Sequence, residues 1–314
     1  MKAAIAFLGL IRWPNLVFIF LTQIMFRYCV LYPAFSAAHI SHTVTDYHFF
    51  LIVCSYVFIA AAGYIINDYF DLDIDLVNKP GKVFITNGIS KGQALIWYGV
   101  LNILAILCNV YVDMSTTTRA GGISAIICIL LLFFYSRIWK KRFLIGNILI
   151  AAITAWSITV LAILEDNLKW PEAAQYLTFN LNRIFLLTIL YTAFAFIVSL
   201  IREVIKDMED INGDSRYGCR TMPIVWGLSA SRVFVATWLV VLILMLLVTG
   251  IFLSASLWWL FIVYAFIFIL FPLLSILRNL FQAQNAADYH KLSKHIKIVM
   301  LMGILSMLFF KYMG

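Results

Sequence analysis

Apolar residues run along this chain in long unbroken stretches, and polar residues collect in the short intervals between them. A stretch of about 20 residues with few charges is long enough to cross the hydrocarbon core of a bilayer as a helix. Such stretches fall at 15–35, 48–66, 94–113, 121–137, 144–164, 183–201, 231–253, 257–277 and 296–313. The pattern predicts an all-α, polytopic transmembrane bundle of about nine helices, with the seventh and eighth divided near Ser254 to Ser256.

Composition strengthens this reading. Of 314 residues, 64% are hydrophobic and 12% charged, which excludes an ordinary soluble domain. Helices packed in lipid form one unit, so a single membrane domain is expected over 1–314. The start Met-Lys-Ala-Ala-Ile-Ala-Phe resembles a signal peptide, but Arg12-Trp13-Pro14 interrupts the run with no small-residue cleavage site. It is read as an interfacial lead-in to the first span.

The basic residues give an orientation. If the N-terminus is cytoplasmic, 18 of the 23 Lys and Arg fall in inside segments. Only Arg119, Lys169, Arg183 and Lys311 fall outside, and Arg27 lies within the first span. This positive-inside bias places the chain in a multi-pass arrangement, the inner membrane if the cell is bacterial. The net charge of +8 is spread over these loops, so it is assigned to topology and anionic lipid and not to nucleic acid. Cys29, Cys54, Cys108, Cys128 and Cys219 are isolated and form no Cys-x-x-Cys pair, which argues against disulfides and structural zinc.

Against this apolar background, nine of the fifteen acidic residues crowd into 68–75 and 203–214. Carboxylates beside hydrocarbon cost several kcal/mol each unless a cation or water compensates them. On a continuous helix Asp68, Asp71 and Asp75 fall within about 60° of one another, with Asn67 at the edge of that face. Asp73 points elsewhere. Asp207, Asp210 and Asp214 repeat the 0, 3, 7 spacing, Glu203 joins their face, and Gly213 is a candidate helix end. Arg202 and Lys206 stand on the flank, placed to meet a phosphate. The competing reading, a solvated helix end whose acids balance Lys79 and Lys82, does not account for the repeat.

Like charges on one stripe repel, and a divalent cation removes the conflict. Oxygen-only ligation suits Mg²⁺, which keeps waters and shares its shell with substrate phosphates. Two such sets at one membrane face, both next to cations, describe a held diphosphate, and a metal-neutralised diphosphate is a good leaving group. With a hydrocarbon substrate contained by the bundle, the chemistry suggested is ionisation of an allylic diphosphate. An ion-coupled transporter also places acids in spans, but singly near the midplane and not at span ends with metal spacing.

Asn67-Asp68-x-x-Asp71-x-x-x-Asp75 resembles the first aspartate signature of the UbiA superfamily of intramembrane prenyltransferases, and Lys206-Asp207-x-x-Asp210-x-x-x-Asp214 resembles its second. Further similarities are Arg12-Trp-Pro-Asn15, Tyr135-Ser136 followed by Lys140 and Gly146-Asn147, and Arg220-Thr-Met-Pro223 with Gly227. The resemblance implies that Asn67 and the six aspartates serve as metal ligands and catalytic carboxylates. It implies Lys140, Lys206 and Lys82 as diphosphate contacts, with Arg12, Asn15, Tyr135, Ser136 and Arg202 also meeting substrate. Lys82-Val83 stands where the family commonly has Arg-Pro, which keeps a charge but loses a bidentate fork. Tyr64, Tyr69 and Tyr135 are candidates to stabilise an allyl cation, against the alternative of an interfacial tyrosine belt. Arg27 is read as facing an anionic acceptor or snorkelling.

The donor implied is a polyprenyl diphosphate, and the acceptor is hydrophobic or aromatic. The wording from Asn67 to Val83 is most similar to chains grouped with geranylgeranylglycerol-phosphate geranylgeranyltransferases, which implies a lipid alcohol bearing a phosphate. The alternative is a 4-hydroxybenzoate or naphthoate ring. His39-x-x-His42 with Asp46 and His48 is read as a solvated loop. His290, His295, Lys291, Lys294 and Lys297 are read as a lipid-facing connector before the last span.

Overall fold

The computed structural model describes residues 2–37, 41–78, 81, 83–86, 88–116, 119–165, 179–254 and 258–313. His39, Lys79, Lys82, Lys169 and most of the Ser254–Ser256 division lie outside them.

Among the described residues, nine helices are long and apolar enough to span a bilayer. They are Trp13–Ala37, Asp46–Phe70, Lys91–Ser115, Ala120–Arg137, Ile145–Ile163, Ile184–Glu209, Gly227–Ile251, Trp259–Gln282 and Ala286–Tyr312. They match the nine apolar runs in order, and the protein is an integral, multi-pass membrane protein. A lead-in helix, Lys2–Leu10, precedes the first span, as expected. The first and eighth spans each contain a π-helical stretch, Phe26–Leu31 and Phe266–Leu270.

Three spans run further than their apolar cores. The second continues past Ile66 to Phe70 and so carries Asn67 and Asp68. The sixth continues past Ile201 to Glu209, and Glu203 is held there by Arg202 at 2.9 Å and Lys206 at 3.2 Å. Local ion pairs make the extra turns tolerable near lipid. The ninth starts at Ala286, where Asn285 and Asp288 form a reciprocal capping box that fixes the first turn. The basic stretch expected as a connector is therefore part of the ninth span itself.

The second span packs on the third and fourth, and the sixth packs on the fifth and ninth. One apolar cluster, including Leu10, Leu16, Ile65, Leu72, Val83 and Leu101, surrounds the end of the second span. Another, including Val198, Ile201, Ile205, Met208, Met222 and Tyr289, surrounds the end of the sixth. Outward-facing residues such as Ile96, Ile103 and Leu107 on the third span, and Leu244, Val248 and Ile251 on the seventh, are exposed, as lipid contact requires.

Arg27 neither snorkels nor waits for an acceptor. It is 3% exposed and donates to Glu165 Oε1 at 2.5 Å and to the carbonyl of Val44. Glu165 Oε2 accepts the backbone N–H of Thr43 at 2.8 Å and of Val44 at 3.3 Å, and His42 Nδ1 lies 3.2 Å from Oε1. His42 stacks on Tyr32 and Phe35, so it belongs to this network and not to a solvated loop. The cluster ties the first span to the ends of two loops at the membrane face opposite the aspartate motifs. Burial opposes the charged form of Glu165, but His42, Arg27 and the Thr43 amide hold its carboxyl below the ordinary range.

Candidate active site

Both aspartate motifs bend at their middle residue. The second span ends at Phe70, Asp71 takes φ −94° and ψ 4°, and a short helix resumes over Leu72–Asn78. The sixth span ends at Glu209, Asp210 takes φ −93° and ψ 5°, and a short helix resumes over Ile211–Arg216. Each bend is bridged by the same two backbone bonds, Asp71 to Asn67 and Asp75 to Asp71, then Asp210 to Lys206 and Asp214 to Asp210. The single straight stripe expected from the 0, 3, 7 spacing is therefore broken, and the third aspartate of each set is delivered by a separate short helix. Gly213 lies buried inside the second of these helices and does not end the sixth span. The two short helices pack against each other, which brings the motifs to one place.

The loop between the fourth and fifth spans closes the site. Lys140, in a single 3-10 turn at Trp139–Lys141, donates to Asp71 Oδ2. Burial works against its charge, but the fields of Asp71 and Asp75 win and hold the ammonium above the ordinary lysine range. Asp71 itself is 1% exposed. The loop is stitched to the segment after the second motif, because Arg220 N donates to the Lys141 carbonyl at 2.8 Å. Gly146 makes the fit possible: a Cβ there would stand 3.0 Å from Lys140 Cα and 3.1 Å from the Trp139 carbonyl oxygen. One turn on, Asn147 Nδ2 donates to Asp207 at 2.8 Å. Tyr135 lies between the motifs, with Lys140, Glu203, Asp207 and Asp71 as its charged neighbours.

Arg12 closes the other flank. Its backbone is left-handed, φ 50° and ψ 51°, a strained state for a residue other than glycine. The bend aims the guanidinium at Asp68, 2.6 Å away, and over the Tyr64 ring at 5.1 Å. Burial opposes the Arg12 charge and Asp68 more than restores it. Asp75 is pushed up to about 6 by burial, with the charges of Asp68 and Asp71 adding to the effect and Lys140 opposing it. Asp68 and Asp75 line a small hollow with Leu72, Val83, Phe84 and Ile85.

The remaining expected residues separate into those at the site and those that are not. Asn15 accepts from Lys297 at 2.7 Å. Arg202 and Lys206 both bond Glu203 at rest. Ser136 is buried and donates to the Leu132 carbonyl of its own helix. Asp73 is exposed, and Glu209 pairs with His290 at 2.9 Å, so neither joins the cluster. Of the three tyrosines, Tyr64 has a face covered by Arg12 and Tyr69 packs edge-on to Phe70. Tyr135 has acids of both motifs, Asp71 and Asp207, among its charged neighbours. Asn147, quoted above only within the Gly146-Asn147 similarity, carries the signal of a polar residue at an otherwise apolar helical position, whereas Lys297, read as part of a lipid-facing connector, bonds Asn15.

The donor set fits a hard divalent cation. Asp71 Oδ1 and Asn67 Oδ1 are buried acceptors with no hydrogen-bond partner, an arrangement that costs free energy until a cation or donor arrives. Among the described residues no three His, Cys, Asp or Glu side chains stand close enough to form a cage for an ion.

A profile of the UbiA prenyltransferase family matches residues 28–301. The chain belongs to the UbiA prenyltransferase family. Digeranylgeranylglyceryl phosphate synthase of Saccharolobus solfataricus is 33% identical over 258 residues, covering 80% of this chain and 80% of that protein. The synthase of Methanosphaera stadtmanae is 30% identical over 276 residues, covering 86% and 89%. Among solved structures, a digeranylgeranylglyceryl phosphate synthase is 22% identical with a TM-score of 0.62, covering 98% of this chain and 99% of its own. A UbiA homologue from Archaeoglobus fulgidus, bound to DMAPP and Mg²⁺, is 14% identical with a TM-score of 0.61 over 96% and 98%. At these identities the structural likeness establishes the UbiA fold.

Proposed function

We propose that this UbiA-family protein is a Mg²⁺-dependent prenyltransferase that moves a polyprenyl group from an allylic diphosphate to the hydroxyl of a phosphate-bearing lipid alcohol, releasing diphosphate. The observation that supports the reaction type is the matched pair of bends at Asp71 and Asp210, followed by two short helices that pack together, with Lys140 bonded to Asp71. The acceptor rests on the synthases that the chain resembles over four-fifths of its length. The distribution of Lys and Arg supports a cytoplasmic N-terminus and a site at that face.

In this reading Asn67, Asp68, Asp71 and Asp75 would hold one ion, and Asp207, Asp210 and Asp214 would hold a second or position the first. Bound Mg²⁺ would neutralise the charge that develops on the departing oxygen. Lys140, Lys82 and Lys206 would offer cations to the diphosphate. Tyr135 offers an electron-rich face to the allyl cation. The apolar bundle keeps water from capturing that cation before the acceptor oxygen does. Asn147 orients Asp207, and the Tyr64 ring holds Arg12 against Asp68.

The test is an incubation of purified protein with Mg²⁺, labelled geranylgeranyl diphosphate, and a panel comprising geranylgeranylglyceryl phosphate, 4-hydroxybenzoate and a naphthoate. A product mass equal to the phosphorylated glycerol acceptor plus one prenyl group is expected. Prenylation of the aromatic acids alone would overturn the acceptor assignment, and no Mg²⁺-dependent consumption of diphosphate would overturn the reaction type.

A further inference from the structure

The two bends share a backbone state but are held differently. At the first, the Asp71 carbonyl accepts the Asp75 amide at 2.8 Å, and Phe70, the residue before the bend, packs edge-on against Phe133 of the fourth span with ring centroids 5.9 Å apart. At the second, the Asp210 carbonyl is shared by the Gly213 and Asp214 amides at 3.2 and 3.1 Å, a longer and weaker closure. The residue before that bend is Glu209, and its Oε1 lies 2.9 Å from His290 Nδ1. A carboxylate only accepts, so Nδ1 carries the proton and donates whether or not the ring is charged.

His290 stands on a firm base. It opens the second turn of the ninth span, one residue after Tyr289, which is buried and accepts from Arg232 Nε at 3.0 Å. Arg232 also donates to the Ala283 carbonyl at 2.6 Å, and the capping box of Asn285 and Asp288 fixes the preceding turn. Leu292 and Ile296 share one apolar cluster with Ile205 and Met208, so the sixth and ninth spans are joined without the pair. His290 is 41% exposed, and a pair so open adds little to global stability. What the pair does fix is one point, the last residue of the sixth span before the chain turns.

We infer that His290 is a positioning residue for the second aspartate motif: through Glu209 it holds the bend at Asp210, and so sets where the short helix that follows presents Asp214. This inference rests on the reading of that motif as a metal and diphosphate site proposed above. Such a site depends on fine placement, because small displacements of groups around a reacting centre cost far more in rate than in stability. The first motif carries Phe70 at the matching position, so its bend answers to apolar packing, and the second answers to a hydrogen bond.

The experiment first follows amide hydrogen exchange of segments 68–78 and 207–216 in protein free of metal and substrate, in wild type, His290→Ala and His290→Asn. In His290→Ala the exchange of 207–216 should quicken about tenfold while 68–78 keeps its wild-type rate. With Mg²⁺, geranylgeranyl diphosphate and geranylgeranylglyceryl phosphate, kcat should fall about tenfold and the half-saturating Mg²⁺ concentration should rise, with the acceptor KM unchanged. His290→Asn, which keeps a donor near the Nδ1 position, should recover most of both effects, and adding Glu209→Ala to His290→Ala should cost nothing more. Where His290→Ala fails to insert, Glu209→Ala reads the same bend from its other partner. Faster exchange in both segments, losses that add in the double variant, or no recovery in His290→Asn would reduce the pair to a strut between spans and overturn the inference. An unaltered His290→Ala beside an active wild type would overturn the inference and leave the proposed reaction standing. A wild type that consumes no prenyl diphosphate would overturn both.

Discussion

Asp71 and Asp210 share one backbone state to within a degree, φ −94° and ψ 4° against φ −93° and ψ 5°. Each ends a long span and begins a short helix, so the two motifs are equivalent in geometry as well as in spacing. Replacing either with Ala should therefore have the same consequence. Prenyl transfer is expected to fall to below about a hundredth of wild type in both variants, the scale of losing one preorganised electrostatic contact. Membrane insertion should be unchanged, and chelation of Mg²⁺ from the wild type should reproduce the loss. Turnover near wild type in either variant would refute the equivalence.

Lys140→Met removes the ammonium that Asp71 holds and leaves that carboxylate buried beside an apolar chain. A fall in kcat of about 10²-fold or more is expected, with a smaller change in the KM of the lipid acceptor. Since Lys140 is a third exposed, the stability cost should be modest, about 1–2 kcal/mol. Kinetics and melting of the detergent-solubilised variant would separate the two effects.

Gly146→Val tests the loop without touching a charge. Its side chain must displace the backbone of Trp139 and Lys140, at a cost of about 1–3 kcal/mol. Activity should drop although every aspartate and Lys140 are intact. Wild-type turnover in this variant would show that the loop's position is not critical.

The Arg27–Glu165 pair gives a prediction far from the motifs. Arg27→Met should destabilise by about 3–5 kcal/mol, because Glu165 is left charged and buried, and adding Glu165→Gln should recover part of it. The folded protein holds the Glu165 carboxyl below its ordinary value. Its contribution is therefore full above the ordinary carboxylate range and is lost as pH falls through the lowered folded value. Thermal melting of wild type should decline on acidification below about pH 4, more steeply than that of Glu165→Gln. Parallel curves would refute the role of Glu165.

The spans were legible because lipid demands long apolar runs, and the order of all nine followed from that demand alone. Their ends were less legible where polar residues continue a helix. Nothing in an average of hydrophobicity says that Arg202 and Lys206 quench Glu203, although their spacing of one and three residues contains that fact. The exclusion of Asp73 and Glu209 followed correctly from helical phase near the span ends, whereas the phase of Asp75 and Asp214 did not survive the bends. Arg27 could not be paired from sequence, since its partner lies 138 residues away with no local signature. Lys297 was masked by its basic neighbours, and only packing of the ninth span on the first turns it toward Asn15.

The ion pairs at rest, Lys140 with Asp71 and Arg12 with Asp68, give the site an internal electrical balance. Entry of a diphosphate alone, or of a bare cation alone, breaks that balance and is opposed by it. A species carrying both signs would exchange partners with each pair at little net cost, since the carboxylates would meet its cation and the lysine and arginine its phosphates. In the proposed function the resting pairs would thus act as a filter on ligand composition, favouring metal and diphosphate together over either alone.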